Sequence, residues 1–175
     1  NMSNELMAMK RLAQLNLAAG LLAELEGRTN EAAATYVAGL RFGNEISRGG
    51  FVIHRLVGVA CEAMAQSRLT TLSTNLNVTE AKEIIRALEK LELETVAWPE
   101  IYDNERRFIR ESFRQTGNPL ALVHSWWSLR NMLKKAEAMN LKKIAQRRLL
   151  LVELAVRSHT STHGKPPAQL NELKP

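Results

Sequence analysis

The sequence is poor in the residues that mark several common classes of protein. Cys61 is the one cysteine among 175 residues, so we expect neither a disulfide framework nor a cysteine-based zinc module. Aromatic residues make up only 5% of the chain, but the apolar fraction of 45% excludes wholesale disorder. Apolar runs such as Leu149–Val152 are far shorter than the roughly 18–20 residues that span a bilayer. Glu5, Lys10 and Arg11 interrupt the first residues, so no signal peptide is expected.

Proline and glycine are also scarce inside the periodic segments, where residues that favour helices dominate. Because β-branched residues never alternate over the length of a strand, the sequence predicts an all-α fold: a single helical bundle of six to seven helices. The domain prediction is one unit over 1–175, with a hairpin at 4–47, a bundle at 51–162 and a Gly/Pro turn and tail at 163–175. The predicted helices cover about 4–26, 31–47, 51–72, 77–93 and 141–158, and two more begin at Pro99 and Pro119, the second with an apolar stripe over 122–133. A short turn is predicted near 169–173.

Local signals set several of these boundaries. Gly27 is expected to end the first helix, and Asn77 with Glu80 has the spacing of a capping box at the start of the fourth. Asn118 and Pro119, after Gly117, indicate a stop followed by a new helix. The segment 149–156 is apolar on nearly all sides, which predicts that it is buried on nearly all sides.

Residues 17–43 resemble one tetratricopeptide (TPR) hairpin, in which small residues stand where two helices cross. Asn16 departs from this pattern where a large aromatic residue is usual, and Asn44 departs where proline is usual. No second copy follows at a 34-residue period, so the other helices must complete this hairpin. The residues that carry the resemblance are Gly20, Gly27, Ala32, Tyr36 and Gly39.

The C-terminal residues 163–173 contain the pattern G-x-x-P-x-x-L-x-x-L after a long apolar helix. This end resembles a group of uncharacterised all-helical proteins of planctomycete-like bacteria, as do Ile46–Leu72 and Asn104–Arg106. Members often carry a membrane-spanning helix upstream. The resemblance therefore implies that the chain is the part of a bacterial, membrane-anchored envelope protein that lies outside the bilayer. It implies no activity. The same ending occurs in type II secretion pseudopilins, but nothing here resembles their N-terminal spine.

Few residues are arranged for chemistry. His159 and His163 have helical spacing, but Thr160 replaces the glutamate that a zinc protease needs, so we interpret them as exposed residues at a helix end. Cys61 lies among small apolar residues and is expected to be buried and structural. Glu153 interrupts the most apolar segment, so it must be paired, protonated or at the rim, and an arginine partner is expected. The sequence predicts no catalytic residue, no metal and no cofactor.

Charge is distributed unevenly along the chain. Residues 80–105 contain three basic and eight acidic residues, whereas residues 106–165 contain thirteen basic and three acidic residues. Trp126 and Trp127 are the aromatic residues that could accompany a nucleic-acid surface, although both are expected in the core. The candidate residues for contact with an anion or a partner are Arg130, Lys134, Lys135, Lys142, Lys143, Arg147 and Arg148.

Three functional hypotheses remain open. The favoured one is a non-enzymatic interaction or scaffold domain with a protein partner. The alternative is a basic helical module that binds nucleic acid or an anionic membrane through residues 106–165. An enzyme is the third and least favoured.

Overall fold

The protein is all-α, as its composition predicts. The computed structural model describes the backbone of residues 2–116 and 119–173, where every regular element is a helix and no strand occurs. The side chains of Phe113, Gln115, Thr116, 119–129 and Leu170 are not described. The predicted stop at 117–118 and the core positions of Trp126 and Trp127 therefore lie outside the described residues. The helices are α1 (Met2–Leu25), α2 (Thr29–Ile46), α3 (Val52–Leu72), α4 (Val78–Leu93), α5 (Trp98–Thr116) and α6 (Pro119–His163), with 3-10 turns at Ser73–Asn75 and Leu170–Leu173.

The two helices predicted after residue 118 are one continuous helix, so that part of the prediction is wrong. Helix α6 has 45 residues and is about 67 Å long. Neither glycine nor proline occurs between Pro119 and Gly164, so nothing in the chain interrupts the helix. It also continues past the predicted end near Ser158 as far as His163. The next residue, Gly164, has a φ of 73°, the backbone conformation with which a glycine commonly ends a helix.

Helices α1 and α2 form the predicted hairpin. Gly27 has a φ of 75° in the connection, as expected for a helix-ending glycine. Gly20 leaves room for the ring of Tyr36, whose hydroxyl donates to Glu24 Oε2 at 2.7 Å. Asn16, at a position where the TPR pattern has an aromatic residue, donates from Nδ2 to the backbone oxygen of Thr35 at 3.0 Å. A polar contact thus joins the two helices there.

Helix α3 packs closely on α2 because glycines meet at the crossing. A Cβ atom at Gly43 would lie 2.6 Å from the backbone oxygen of Gly58, a distance that real Cβ atoms do not reach. Gly39 is similarly confined between Asn16 of α1 and Ala65 of α3. Small residues therefore let the backbones of α2 and α3 approach, which places the middle of α3 inside the bundle.

The main core lies between α2, α3, α4 and the C-terminal half of α6. Leu150 and Leu154 are buried in it, but Leu149 is 69% exposed and Val152 is also exposed. The prediction that this segment is buried on nearly all sides is therefore wrong. Its neighbours α3 and α4 cover one side of α6, and the other side faces solvent.

Candidate functional site

One side of α6 is buried at intervals of three and four residues, as in a coiled-coil seam. Hydrophobic residues flank the middle of this seam on both sides, whereas the three consecutive positions between them, Asn140, Lys143 and Arg147, are polar. Two of these polar residues, Lys143 and Arg147, were predicted to contact an anion or a partner. Because both are buried, they cannot face a macromolecular partner. The buried positions from 133 to 158 are Leu133, Ala136, Asn140, Lys143, Arg147, Leu150, Leu154 and Ser158.

The polar part of the seam surrounds a fully buried carboxylate on α3. Glu62 has no exposed surface. Its Oε1 accepts from Arg55 Nη1 at 2.6 Å, and its Oε2 accepts from Arg147 Nη2 at 2.7 Å. Because Arg55 lies two turns before Glu62 on α3 and Arg147 lies on α6, this carboxylate joins the two helices through charge-assisted hydrogen bonds.

Neutral polar groups satisfy most of the remaining donors. Arg55 Nε donates to Asn140 Oδ1 at 2.7 Å, and Arg147 Nη1 donates to Thr95 Oγ1 at 2.9 Å. Lys143 Nζ donates to the backbone oxygen of Glu62 at 3.1 Å and also to Gln66 Oε1. Among the described atoms, Arg55 Nη2 and Arg147 Nε are buried without a hydrogen-bond partner. The buried charge cluster therefore consists of Arg55, Glu62, Gln66, Asn140, Lys143 and Arg147.

The cluster holds three basic side chains against one carboxylate. Burial lowers the pKa of Lys143 to about 7, and the neighbouring guanidinium groups of Arg147 and Arg55 act in the same direction. Glu62 opposes this shift. Lys143 thus loses its proton readily near neutral pH, which reduces the excess of buried positive charge. Since these side chains are sealed from solvent, the cluster fixes the position of α6 on α3 rather than meeting a substrate.

The sequence pattern drew attention to Glu153 and not to Glu62. Glu153 pairs with Arg157 one turn later on α6 at 2.9 Å, and both side chains are partly exposed. Its predicted arginine partner is thus confirmed, at the rim of the bundle. A signal for Glu62 was present: Arg55, Glu62 and Gln66 follow each other at intervals of seven and four, on one face of a helix whose other residues on that face are small or apolar.

The other five predicted contact residues are exposed on α6. At 100° per residue they fall on one arc of about 140°, opposite the buried seam. Arg148 is paired there with Glu92 of α4, at 2.6 Å from Nε to Oε1. This basic arc consists of Arg130, Lys134, Lys135, Lys142 and Arg148.

A second exposed feature is apolar and lies on α1. The apolar residues of this helix lie on two of its sides. Leu6, Ala13 and Ala23 are buried against the bundle, whereas Leu15 is 68% exposed and Leu22 is 54% exposed. The exposed apolar residues on the side of α1 that contains Leu15 and Leu22 follow each other at intervals of four and three. We define the apolar stripe as Ala8, Leu12, Leu15, Ala19 and Leu22.

The histidine and cysteine residues do not form a metal site in the described part of the chain, where no group of three metal-binding side chains occurs. His159 and His163 stack with ring centroids 4.2 Å apart. His163 is exposed as predicted, but His159 is half-buried because it packs in a groove between α4 and α6. Burial raises the pKa of the Cys61 thiol, so Cys61 is structural, as expected.

Comparisons of the chain with protein-family models, with curated proteins and with solved structures found no match. Among the described residues, no helix combines the length and the hydrophobicity that crossing a membrane requires. Functional assignment therefore rests on the geometry of the chain itself.

Proposed function

We propose that this chain is a non-enzymatic protein-interaction domain that binds an amphipathic helix of a partner along the apolar stripe of α1. The observation that carries the proposal is the exposure of Leu12, Leu15 and Leu22 on one side of a helix whose other side is already buried. A row of large exposed apolar residues is typical of an interaction surface.

The spacing of the stripe indicates the shape of the occupant. Apolar residues that alternate at intervals of three and four form a seam that a second helix with the same spacing can fill. Arg11 lies beside the stripe at its N-terminal half, next to Leu12. An acidic side chain on the partner helix at that level would complement it.

The α1–α2 hairpin supports a TPR-like role for this surface. TPR units bury their faces by stacking on neighbouring hairpins, and here α3 covers one side of the hairpin while the stripe is left to solvent. The C-terminal resemblance adds that the domain is the part of a membrane-anchored envelope protein outside the bilayer. A partner in the same envelope would then supply the helix.

The experiment compares complexes formed by the unaltered chain and by Leu15→Glu and Leu22→Glu variants in extract of the source organism. Leu149→Glu is the matched control, because Leu149 is a similarly exposed leucine on α6. We expect one partner to be missing from the complexes of both stripe variants and present in those of the control. The purified helix of that partner should bind α1 directly. Retention by the stripe variants would contradict the proposal. Sedimentation velocity of the purified chain shows whether it forms a dimer, which is the case in which the helix on the stripe comes from another copy of the chain.

The basic arc supports the alternative function, a module that binds nucleic acid or an anionic membrane. Arg130, Lys134, Lys135 and Lys142 are exposed together, with Glu137 as the acidic residue between them in sequence. Binding through such a surface releases counterions, so it weakens steeply with salt. Titrations of oligonucleotides and anionic vesicles at about 50 mM and about 200 mM salt test it. Salt-sensitive binding that Lys134→Glu abolishes would favour the alternative, and no binding at the lower salt would exclude it.

A further inference from the structure

A groove of about 630 Å³ lies between α4 and α6, and its lining contains no residue of α1. Its apolar lining includes Ile85 of α4, Leu151 and Ala155 of α6, and Leu173 of the C-terminal turn. A volume of this size falls within the range of about 300–1,000 Å³ that is typical of small-molecule sites. The groove is thus large enough for a ligand with an extended apolar body.

The polar groups of the groove gather toward one end. Helices α4 and α6 run antiparallel, since Arg148 pairs with Glu92 while Arg157 Nη1 reaches the backbone oxygen of Ser73 at 3.4 Å. Lys82 therefore lies at the end that contains His159 and His163, with Arg86 one turn further along α4. Glu89 lies at the opposite end, near Leu151 and Val152.

Lys82 and Arg86 are available to a ligand. Within the described part of the chain neither forms an ion pair, although both line the groove. Glu172 is the acidic residue at the same end, and its Oε2 accepts a hydrogen bond from the backbone nitrogen of Ala168 at 3.1 Å. The basic side chains are thus free to meet an anion, while the carboxylate is held in the turn.

His159 adds an independent sign of a ligand. Its Nδ1 atom is buried and has no hydrogen-bond partner among the described residues, although the side chain lines the groove. A buried polar atom of this kind is destabilising unless another group satisfies it. A ligand head group at this end of the groove would satisfy Nδ1 once the His159 ring turns toward the groove, because the atom has almost no accessible surface in the present conformation.

We propose that the α4–α6 groove binds a monomeric single-chain amphiphile with an anionic head group. The head group lies between Lys82, Arg86 and His159, and the apolar chain lies over Ile85, Leu151 and Ala155. A carboxylate or a phosphate monoester has the charge and the hydrogen-bonding oxygens that this end requires. The site is separate from the apolar stripe, so it does not depend on the partner proposed above.

Calorimetric titration with dodecanoate, below its micelle concentration, tests the site. We expect saturable binding with one ligand per chain. Lys82→Ala and Arg86→Ala should each weaken binding about three- to fivefold, as should His159→Phe, which keeps the ring but removes Nδ1. Val152→Trp, which introduces a large side chain into the lining, should abolish binding. Lys90→Ala on α4 and Leu149→Trp on α6 are matched controls outside the groove, and both should bind like the unaltered chain.

Three further probes separate the contributions of charge and chain. Dodecyl phosphate should compete with dodecanoate, and the tighter of the two identifies the head group. Dodecyltrimethylammonium, with the same chain and the opposite charge, should bind at least tenfold more weakly. Equal binding of this cation, full binding by Val152→Trp, or competition by inorganic phosphate as strong as that of dodecyl phosphate would each overturn the proposal. An absence of saturable dodecanoate binding would overturn it as well.

Discussion

Glu62 Oε2 lies 2.7 Å from Arg147 Nη2, although the two residues are 85 positions apart and both are fully buried. The pair holds the middle of α6 against α3 at a single register, because sliding either helix by one turn would separate the charges inside the bundle. Buried polar groups at seam positions specify register in this way in coiled coils. We infer the same role for the buried charge cluster.

The first prediction concerns this carboxylate. Glu62→Gln leaves Arg55, Arg147 and Lys143 without their counter-charge in the core, so it should lower the free energy of unfolding by about 3–5 kcal/mol. Glu153→Gln is the control, because its pair with Arg157 is partly exposed and should contribute less than about 1 kcal/mol. Urea unfolding measures both. Equal effects of the two substitutions would contradict the assignment of Glu62 as the central buried charge.

The second prediction concerns pH. The pKa of Lys143 is about 7 in the folded chain, against an ordinary value of 10.5. Between these values the unfolded chain binds more protons than the folded chain, so the free energy of unfolding should rise with pH across this window. Lys143→Met should remove this rise, so its free energy of unfolding relative to that of the unaltered chain should be greatest below pH 7 and should fall by up to about 1.4 kcal/mol per pH unit above it.

Lys142→Met is the control for the pH experiment, because Lys142 directly precedes Lys143 on α6 and its side chain is exposed. Its unfolding free energy should follow the pH profile of the unaltered chain. A Lys143→Met profile with the same slope as the control would show that Lys143 is not the titrating group.

The third prediction concerns the crossing of α2 and α3. Gly43→Ala should lower stability by about 1–3 kcal/mol, because the new methyl group meets the backbone of Gly58. This loss should occur although alanine favours a helix over glycine by about 1 kcal/mol. Ala38→Gly, at an exposed position of α2, measures that propensity alone. A higher melting temperature for Gly43→Ala would be incompatible with close contact at the crossing.

Local signals in the sequence predicted much of the fold. The capping box at Asn77 is present: the backbone nitrogen of Asn77 donates to Glu80 Oε2 at 2.8 Å, and that of Glu80 donates to Asn77 Oδ1 at 3.0 Å. Gly27 and Gly164 both have the positive φ that ends a helix. These features depend on a few neighbouring residues, so the sequence displays them. The absence of glycine and proline between Pro119 and Gly164 also indicated that α6 is continuous. The hydrophobic pattern is interrupted by polar residues in the middle of the seam, however, and this interruption made one helix look like two.

The candidate sites were harder to predict because they depend on which side of each helix is covered. The basic residues of α6 look alike in sequence, yet the seam buries Lys143 and Arg147 and leaves Lys142 and Arg148 in solvent. The leucines of α1 likewise divide between the bundle and the apolar stripe. The packing of α2 and α3 on α1, and of α3 and α4 on α6, decides these outcomes, and no local pattern contains that information.

Site-specific photo-cross-linking from position 15 tests the central claim, that α1 presents an interaction surface, most directly. Leu15 and Leu149 have nearly equal exposure, 68% and 69%, so a cross-linker at Leu149 is the matched control. We expect position 15 to link to one defined segment whose apolar residues repeat at intervals of three and four, and Leu22→Glu in the same chain to abolish the link. Products that are diffuse, or that are the same from both positions, would contradict the account.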